Sequence, residues 1–496
     1  MNLDTMVKPA PYLVENPNLL GGFAPVDKEL VVNEFEIIGK VPEDLNGMYV
    51  RNGPVPKYTP EGKYHWYDGD GMLQAFYFKN GKVEFRNRWV RTDAWHKEQD
   101  AGRGLYSGLK QRMPEGVLPD DALKNTSNTD VKFHNGKLLS MWYRGGAVYQ
   151  NDPLTLETLG KLEPDPRLVG LQISAHSRVD ERTGEYMFFA YGNRHPYMHY
   201  GVVGPDGALK TLLPVELPGP RLPHDMAITA NYSILHDFPL VNNPEALKAG
   251  RYSLDFHPEW PSRFAVIPRN GKVEDIRWFE ASPRYMLHVV NAWEEVNAKG
   301  ETEIIMLGTP YSMPKLFDGS LDVKRLLFTI GTQGMDQELY QWRFNLATGE
   351  TTEGVMDDVF NTEFPMINAR FQGYKTRYSY NVLMGKMRTL EQPRFQGLVK
   401  YDYERGNSVA YNPGEGYWFS EAPFAERDNA KLEDDGYIVS FVWSEQEQRS
   451  EVWVLDAQNL TQGPVTRVIL PQRVPHGFHG TWVSQTQLQQ GSKTAA

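Results

Sequence analysis

Hairpin signals recur from one end of this 496-residue chain to the other, and they restrict its fold more than any other feature. Lys79-Asn80-Gly81-Lys82, His134-Asn135-Gly136-Lys137, Arg182-Thr183-Gly184-Glu185, Asp206-Gly207, Arg269-Asn270-Gly271-Lys272 and Thr348-Gly349 each contain a residue that tolerates positive φ. Tight turns between antiparallel strands require that tolerance. Between them lie short apolar or alternating runs at 73–78, 83–85, 138–142, 186–190, 264–267, 303–307 and 437–443, which read as strands. Helical periodicity is scarce, with candidates only at 244–248 and near 102–110.

No Gly/Ser linker, low-complexity block or shift in composition divides the chain, so residues 1–496 read as one domain. Residues 1–20 and 485–496 are expected to be peripheral. An undivided all-β chain of this size must protect many sheet edges, and radial repetition does so better than one open sheet. A propeller is therefore the preferred architecture, with two stacked β-sandwich domains as the alternative. Seven blades would allow about 71 residues each, which leaves room for long loops on one face. The internal repeat is too weak to count blades.

Composition removes several classes of function. The net charge of -11 and the lack of any Lys/Arg run argue against a nucleic-acid partner. With no cysteine, disulfides, thiolate metal sites and thiol nucleophiles are excluded, so any metal must be held by His or carboxylate. No phosphate-binding glycine loop is present. No basic-then-apolar leader and no window approaching about 18 apolar residues is found, so a cytoplasmic setting without a membrane span is expected. Collection of an apolar substrate by weak peripheral membrane contact stays open. Aromatic residues make up 12% of the chain, enough to line an apolar tunnel as well as a core.

Four of the twelve histidines sit in compact, strand-like segments: His176, His224, His288 and His479. The steps from 176 to 224, 224 to 288 and 288 to 479 are 48, 64 and 191 residues, close to one, one and three blades. The innermost strands of a propeller run along its axis, so one side chain from each of four blades can meet there. Four imidazoles would bind a first-row metal, with iron, copper, zinc and nickel all compatible. His476, three residues before His479, reads as a loop residue at the strand entrance.

These segments, taken with several others, resemble the carotenoid cleavage oxygenases, which include apocarotenoid- and lignostilbene-cleaving dioxygenases. The likeness runs from about Pro11 to Val483. It is carried by Arg51-Asn52-Gly53-Pro54, Tyr67-Asp68-Gly69-Asp70-Gly71-Met72, Asn128-Thr129, the His176 and His224 segments, Leu287-His288-Val289-Val290-Asn291-Ala292-Trp293-Glu294, Glu363-Phe364-Pro365, Glu421-Ala422-Pro423, and Pro475-His476-Gly477-Phe478-His479-Gly480-Thr481-Trp482. The resemblance implies a seven-bladed β-propeller with a cap of long loops and short helices, and Fe(II) held on the axis by His176, His224, His288 and His479. It also implies outer glutamates at Glu363 and Glu421, which would take the second ring N–H of a ligand and fix its tautomer.

A third such glutamate is expected where the chain reads Leu139-Ser140-Met141-Trp142-Tyr143-Arg144, and Tyr143 stands in its place. One histidine, His224, would then lean on Tyr143, another polar atom or water. Thr129 matches a threonine whose methyl narrows the open coordination position. Tyr106, Leu109, Trp142, Phe371 and Trp418 are candidates for the substrate wall. Leu109 and Trp142 stand where lignostilbene-cleaving members engage a phenol through Tyr and Lys, which favours an apolar polyene. The activity implied is dioxygen-dependent cleavage of a conjugated C=C bond of an apocarotenoid to carbonyl products. The alternatives are a stilbenoid or phenylpropanoid cleaving dioxygenase, a non-oxygenative isomerase or hydrolase using iron as a Lewis acid, and an interaction scaffold.

Overall fold

The computed structural model describes residues 16–58, 63–112, 123–251, 253–312, 336–385 and 394–494. Seven antiparallel sheets stand radially about one axis, so the structure is a seven-bladed β-propeller. Blades two to six each follow chain order from the axis outwards, as in Asp130–His134, Lys137–Met141, Tyr149–Asn151 and Thr158–Lys161 of blade two. Short turns dictate this order, because a hairpin places each strand beside its predecessor. Asn80-Gly81 and Asn135-Gly136 adopt positive φ at both positions, the signature that the strand twist demands.

The ends of the chain close the ring. Gly480–Ser484 becomes the innermost strand of blade one, pairing with Gly47–Pro54 in the register Met48 to Val483. Ile37–Gly39 adds the outermost strand to blade seven, pairing with Pro464–Ile469. The terminal segments are less peripheral than the sequence suggests: Asn18 is buried, and Gln485–Thr494 is a helix that buries Leu488 between blades one and two. Residues 1–15 and 495–496 lie outside the described residues.

Apolar faces pack between neighbouring blades. Phe264, Phe279, Met306, Trp342 and Phe344 join blades four and five, and Phe76, Phe85, Phe441 and Val452 join blades seven and one. Strand alternation produces this arrangement, since the residues that point to one face recur every second position.

The helix at Pro244–Lys248 forms where expected. The candidate near 102–110 is displaced: the helix is Asp93–Ala101, started by Thr92 accepting from the Trp95 N–H and ended by Gly102 at φ 66°. Gly102 is a terminator because a left-handed cap favours a residue without Cβ. Among the described residues no helix is long and apolar enough to cross a membrane.

Candidate metal centre

The inner strands begin at one end of the axis, and each contributes a side chain there. Thr129 immediately precedes Asp130–His134, His176 lies just before Arg178–Asp180, and His224 just before Met226–Ile228. His288 lies within Met286–Val296, Glu363 within Thr362–Met366, and His479 immediately before Gly480–Ser484. Blade seven has its inner edge split into Tyr417–Phe419 and Phe424–Glu426, and Glu421 occupies the interruption. Residues distant in sequence thus become neighbours through one repeated position in the fold.

The four histidines converge. The His176 ring centroid is 4.5 Å from that of His224, 5.0 Å from that of His288 and 4.4 Å from that of His479, while His288 and His479 are 4.7 Å apart. His176, His224 and His288 offer nitrogens that lie within 4.8 Å of one another, a spacing able to hold a metal ion. Nε2 of both His176 and His288 is buried without a hydrogen-bond partner. A buried nitrogen left without a partner is costly, and a shared cation would satisfy both.

Burial, followed by repulsion from neighbouring imidazoles, holds His176 and His224 well below the ordinary histidine range. They are neutral near pH 7, the form that ligates. Burial opposes protonation of His288 as well, but Glu363 outweighs it and raises this imidazole. A bound cation would occupy the nitrogen opposite Glu363. The donor set, four imidazoles with carboxylates behind them, fits a divalent first-row metal.

The carboxylates orient the rings. Glu363 Oε2 accepts from His288 Nδ1 and from the Phe364 N–H at 2.5 Å, and Gln337 Nε2 donates to its other oxygen at 2.7 Å. Burial would raise the Glu363 carboxyl, yet His288 and these donors bring it below its usual value. Glu421 accepts from His479 Nδ1 at 2.9 Å and from the Gly480 N–H at 2.6 Å. With Nδ1 donating in both pairs, Nε2 is the end left for a metal.

The segments that carry ligands are themselves pinned. Arg51, buried, donates to Ser420 Oγ at 2.5 Å and to the Pro475 carbonyl, fixing the chain ahead of Glu421 and His479. Asn52 donates to the Ser127 carbonyl at 2.7 Å and the Asp130 carbonyl at 3.1 Å. A Cβ on Gly53 would come 2.8 Å from the Gly477 Cα, so this crossing requires glycine. Asp225 accepts from Arg178 Nη2 at 2.5 Å and the Val289 N–H at 2.8 Å, tying blades three, four and five beneath three of the histidines.

A chamber of about 630 Å³, counted with its opening, adjoins the cluster. Trp66, Tyr67, Leu287, Phe364, Phe395 and Phe478 supply most of its apolar wall, and Thr129, Tyr143, His224, His288 and His479 line it too. Thr129 Oγ1 donates to Asn128 Oδ1 and accepts from the Tyr143 N–H, both at 3.0 Å. Its hydroxyl is engaged on both sides. The Tyr143 ring centroid is 6.4 Å from that of His224 and 5.1 Å from that of Tyr67. A second compartment, of about 640 Å³, shares the Tyr67 and Tyr143 walls and includes Tyr106, Leu109 and Trp142 with the more polar Lys63, Tyr64 and Asp68.

Two residues expected on the substrate wall lie elsewhere. Phe371 closes the turn Ala369–Phe371, beyond the far end of Thr362–Met366, where its ring meets Arg182 and its carbonyl accepts from Asn291. A strand advances about 3.3 Å per residue, so the chain has left the metal end by then. Trp418 packs beneath the Arg394 guanidinium at 4.5 Å and is absent from the chamber wall. Conversely Trp66, Phe478, Phe364 and Leu287 line the chamber although the sequence analysis assigns them no wall position. Three of them adjoin His479, Glu363 or His288, a signal that sequence adjacency to a ligand could have supplied. His476 is a packing residue, 4.6 Å from the Phe23 ring, with its N–H donating to the Gly22 carbonyl.

Comparison with known proteins agrees with this geometry. Residues 23–484 match the retinal pigment epithelial membrane protein family. Carotenoid 9,10(9',10')-cleavage dioxygenase 1 of Phaseolus vulgaris is 34% identical, over 96% of this chain and 91% of its own length. Isoeugenol monooxygenase of Pseudomonas nitroreducens is 31% identical over 94% and 98%. Among solved structures, lignostilbene dioxygenase of Pseudomonas brassicacearum superposes with a TM-score of 0.81 at 30% identity, covering 95% of this chain and 99% of that one. Cobalt-substituted apocarotenoid oxygenase of Synechocystis gives 0.81 at 26%, covering 94% and 98%.

Proposed function

The chain belongs to the retinal pigment epithelial membrane protein family, that of the carotenoid cleavage oxygenases, and from this premise we propose an iron(II)-dependent dioxygenase that cleaves a C=C bond of an apocarotenoid or related conjugated polyene. The observation that carries the reading is the meeting of four imidazoles from four blades, three of them on the wall of an aromatic chamber and two with buried, unpartnered Nε2 atoms. His176, His224, His288 and His479 would hold the ion. When bound, ferrous iron supplies the binding and activation of dioxygen, which neither an imidazole nor a carboxylate can provide.

The protein's own residues supply position and dryness. Phe364 and Phe395, packed together, exclude water from one part of the chamber wall, and Trp66, Tyr67 and Phe478 do so from another. A polyene presents many similar double bonds, so the bond that reacts is the one these walls hold beside the histidines. Glu363 and Glu421 keep the His288 and His479 rings in one tautomer throughout. The neighbouring compartment, across Tyr67 and Tyr143, gives an elongated molecule somewhere to place its far end, and Lys63 and Tyr64 there suit an oxygen-bearing terminus. One dioxygen and one alkene give two carbonyl groups, with one oxygen atom on each carbon of the broken bond.

The test is anaerobic loading with Fe(II), then exposure to ¹⁸O₂ with an apocarotenal and, in parallel, isoeugenol and resveratrol. Two labelled carbonyl products from the apocarotenal are expected, read by mass with carbonyl exchange into water controlled. Unlabelled products would remove the oxygenase reading. Cleavage of the phenolic alkenes alone would move the substrate assignment to phenylpropanoids.

A further inference from the structure

Glu363 and Glu421 each face an imidazole nitrogen, and one further carboxylate approaches the cluster with an oxygen to spare. Asp130 is fully buried on the inner strand of blade two. Its Oδ1 accepts from the Val131 N–H at 2.7 Å and lies 3.1 Å from Lys132 Nζ. Its Oδ2 has no hydrogen-bond partner and sits 3.8 Å from His176 Nδ1. On the far side of the same ring, Nε2 is buried and also unpartnered. The ring therefore has one nitrogen toward the cluster and the other toward Asp130.

We infer that Asp130 is a positioning residue for His176, its Oδ2 accepting the Nδ1–H directly or through one water while Nε2 ligates. A gap of 3.8 Å suits either a small closing movement or a bridging water. The inference rests on the metal-centre reading above. A purely structural contact with Lys132 engages Oδ1 only, and leaves the buried Oδ2 without a hydrogen-bond donor, which is expensive. Asp130 also restores a missing charge. Tyr143 stands where a third outer glutamate is expected, and brings a phenol ring 6.4 Å from His224 in place of a carboxylate. Among the described residues, carboxylates thus approach ring nitrogens of His176, His288 and His479.

The experiment compares wild type with Asp130→Asn, which keeps the size and one acceptor but loses the charge. Affinity for Co(II) and Fe(II) is measured by chelator competition, and the melting temperature is measured on the metal-free proteins. A loss of metal affinity of about 10- to 100-fold is expected, with little change in metal-free melting. Tyr143→Glu added to Asp130→Asn should recover part of that loss.

In wild-type Co(II) protein, NMR should show three imidazole N–H signals protected from exchange, those of His176, His288 and His479. This readout stands even where the variant fails to fold. Equal affinity in Asp130→Asn, or only two protected signals in wild type, would overturn the assignment while leaving the metal centre intact. Failure of wild type to bind either metal would remove both readings.

Discussion

The two ends of the propeller axis are built from the same inner strands, yet they differ in almost every physical respect. At the starting ends, the backbone departs from regular β geometry. His176 and Phe364 have φ of 61° and 46°, and the pairing register slips on either side of His288 and after Glu363. At the finishing ends, the chain turns through ordinary glycine hairpins, and the axis opens into a polar mouth of about 1610 Å³. There Arg370 pairs with Glu426 at 2.5 Å and Gln487 with Glu181 at 3.1 Å, largely in contact with solvent. Positive φ at a residue with a side chain costs about 1–3 kcal/mol and survives only where the surroundings enforce it. The fold brings side chains together at both ends, but at the finishing ends positive φ falls on the tolerant Asn135 and Asn429, whereas at the starting ends it falls on His176 and Phe364 beside a buried cluster of imidazoles.

The contrast can be broken most sharply by removing a ligand. His288→Ala should abolish metal retention and activity while the protein stays folded, whereas Arg370→Ala at the opposite mouth should leave metal content unchanged. Metal analysis after gel filtration, with circular dichroism as the fold control, checks both. A smaller effect is expected one atom further out: Glu363→Gln and Glu421→Gln should each weaken metal affinity about 10- to 100-fold, because the ring N–H loses a charged acceptor. Equal affinity in either variant would show that the carboxylates only pack.

Acid sensitivity sharpens the comparison away from both ends. Burial, followed by repulsion from Arg178, depresses His236 from 6.5 to about 3, and both its ring nitrogens lack partners. The folded protein keeps this ring neutral while the unfolded chain takes up a proton below about pH 6.5. Its contribution to stability is complete above that pH and is lost as pH falls toward 3. His236→Leu should therefore flatten the decline of stability between pH 6.5 and 3, by about 1.4 kcal/mol per pH unit at most, in urea titrations across that range. An unchanged slope would mean that His236 finds a partner in solution. The smallest effect belongs to the exposed pair: Arg370→Ala should cost under about 1 kcal/mol of stability by the same titration.

Much of this organisation is legible in the sequence. Asn80-Gly81 and Asn135-Gly136 announced hairpins because their conformational requirement is local. The four histidines announced a centre because each stands in a strand-like segment and propeller geometry turns blade-length spacing into proximity. Other features depend on where side chains travel in three dimensions. Phe371 follows Glu363 by eight positions, yet the strand carries it to the other end of the axis. Trp418 precedes Glu421 by three, but its ring is taken by Arg394. Asp130 is next to Thr129 in the chain, and its relation to His176 arises only because blades two and three are adjacent. The helix near 102 was misplaced because Gly102 marks an end, and the Thr92 cap that marks the start lies ten residues earlier.

The central claim is that imidazoles from four blades hold one ferrous ion. X-ray absorption on protein reconstituted anaerobically with Fe(II), paired with iron quantification, tests it directly. One iron per chain with four nitrogen scatterers and the outer-shell pattern of imidazole is the predicted result. Substoichiometric iron, or a first shell dominated by oxygen with fewer than four imidazoles, would contradict it.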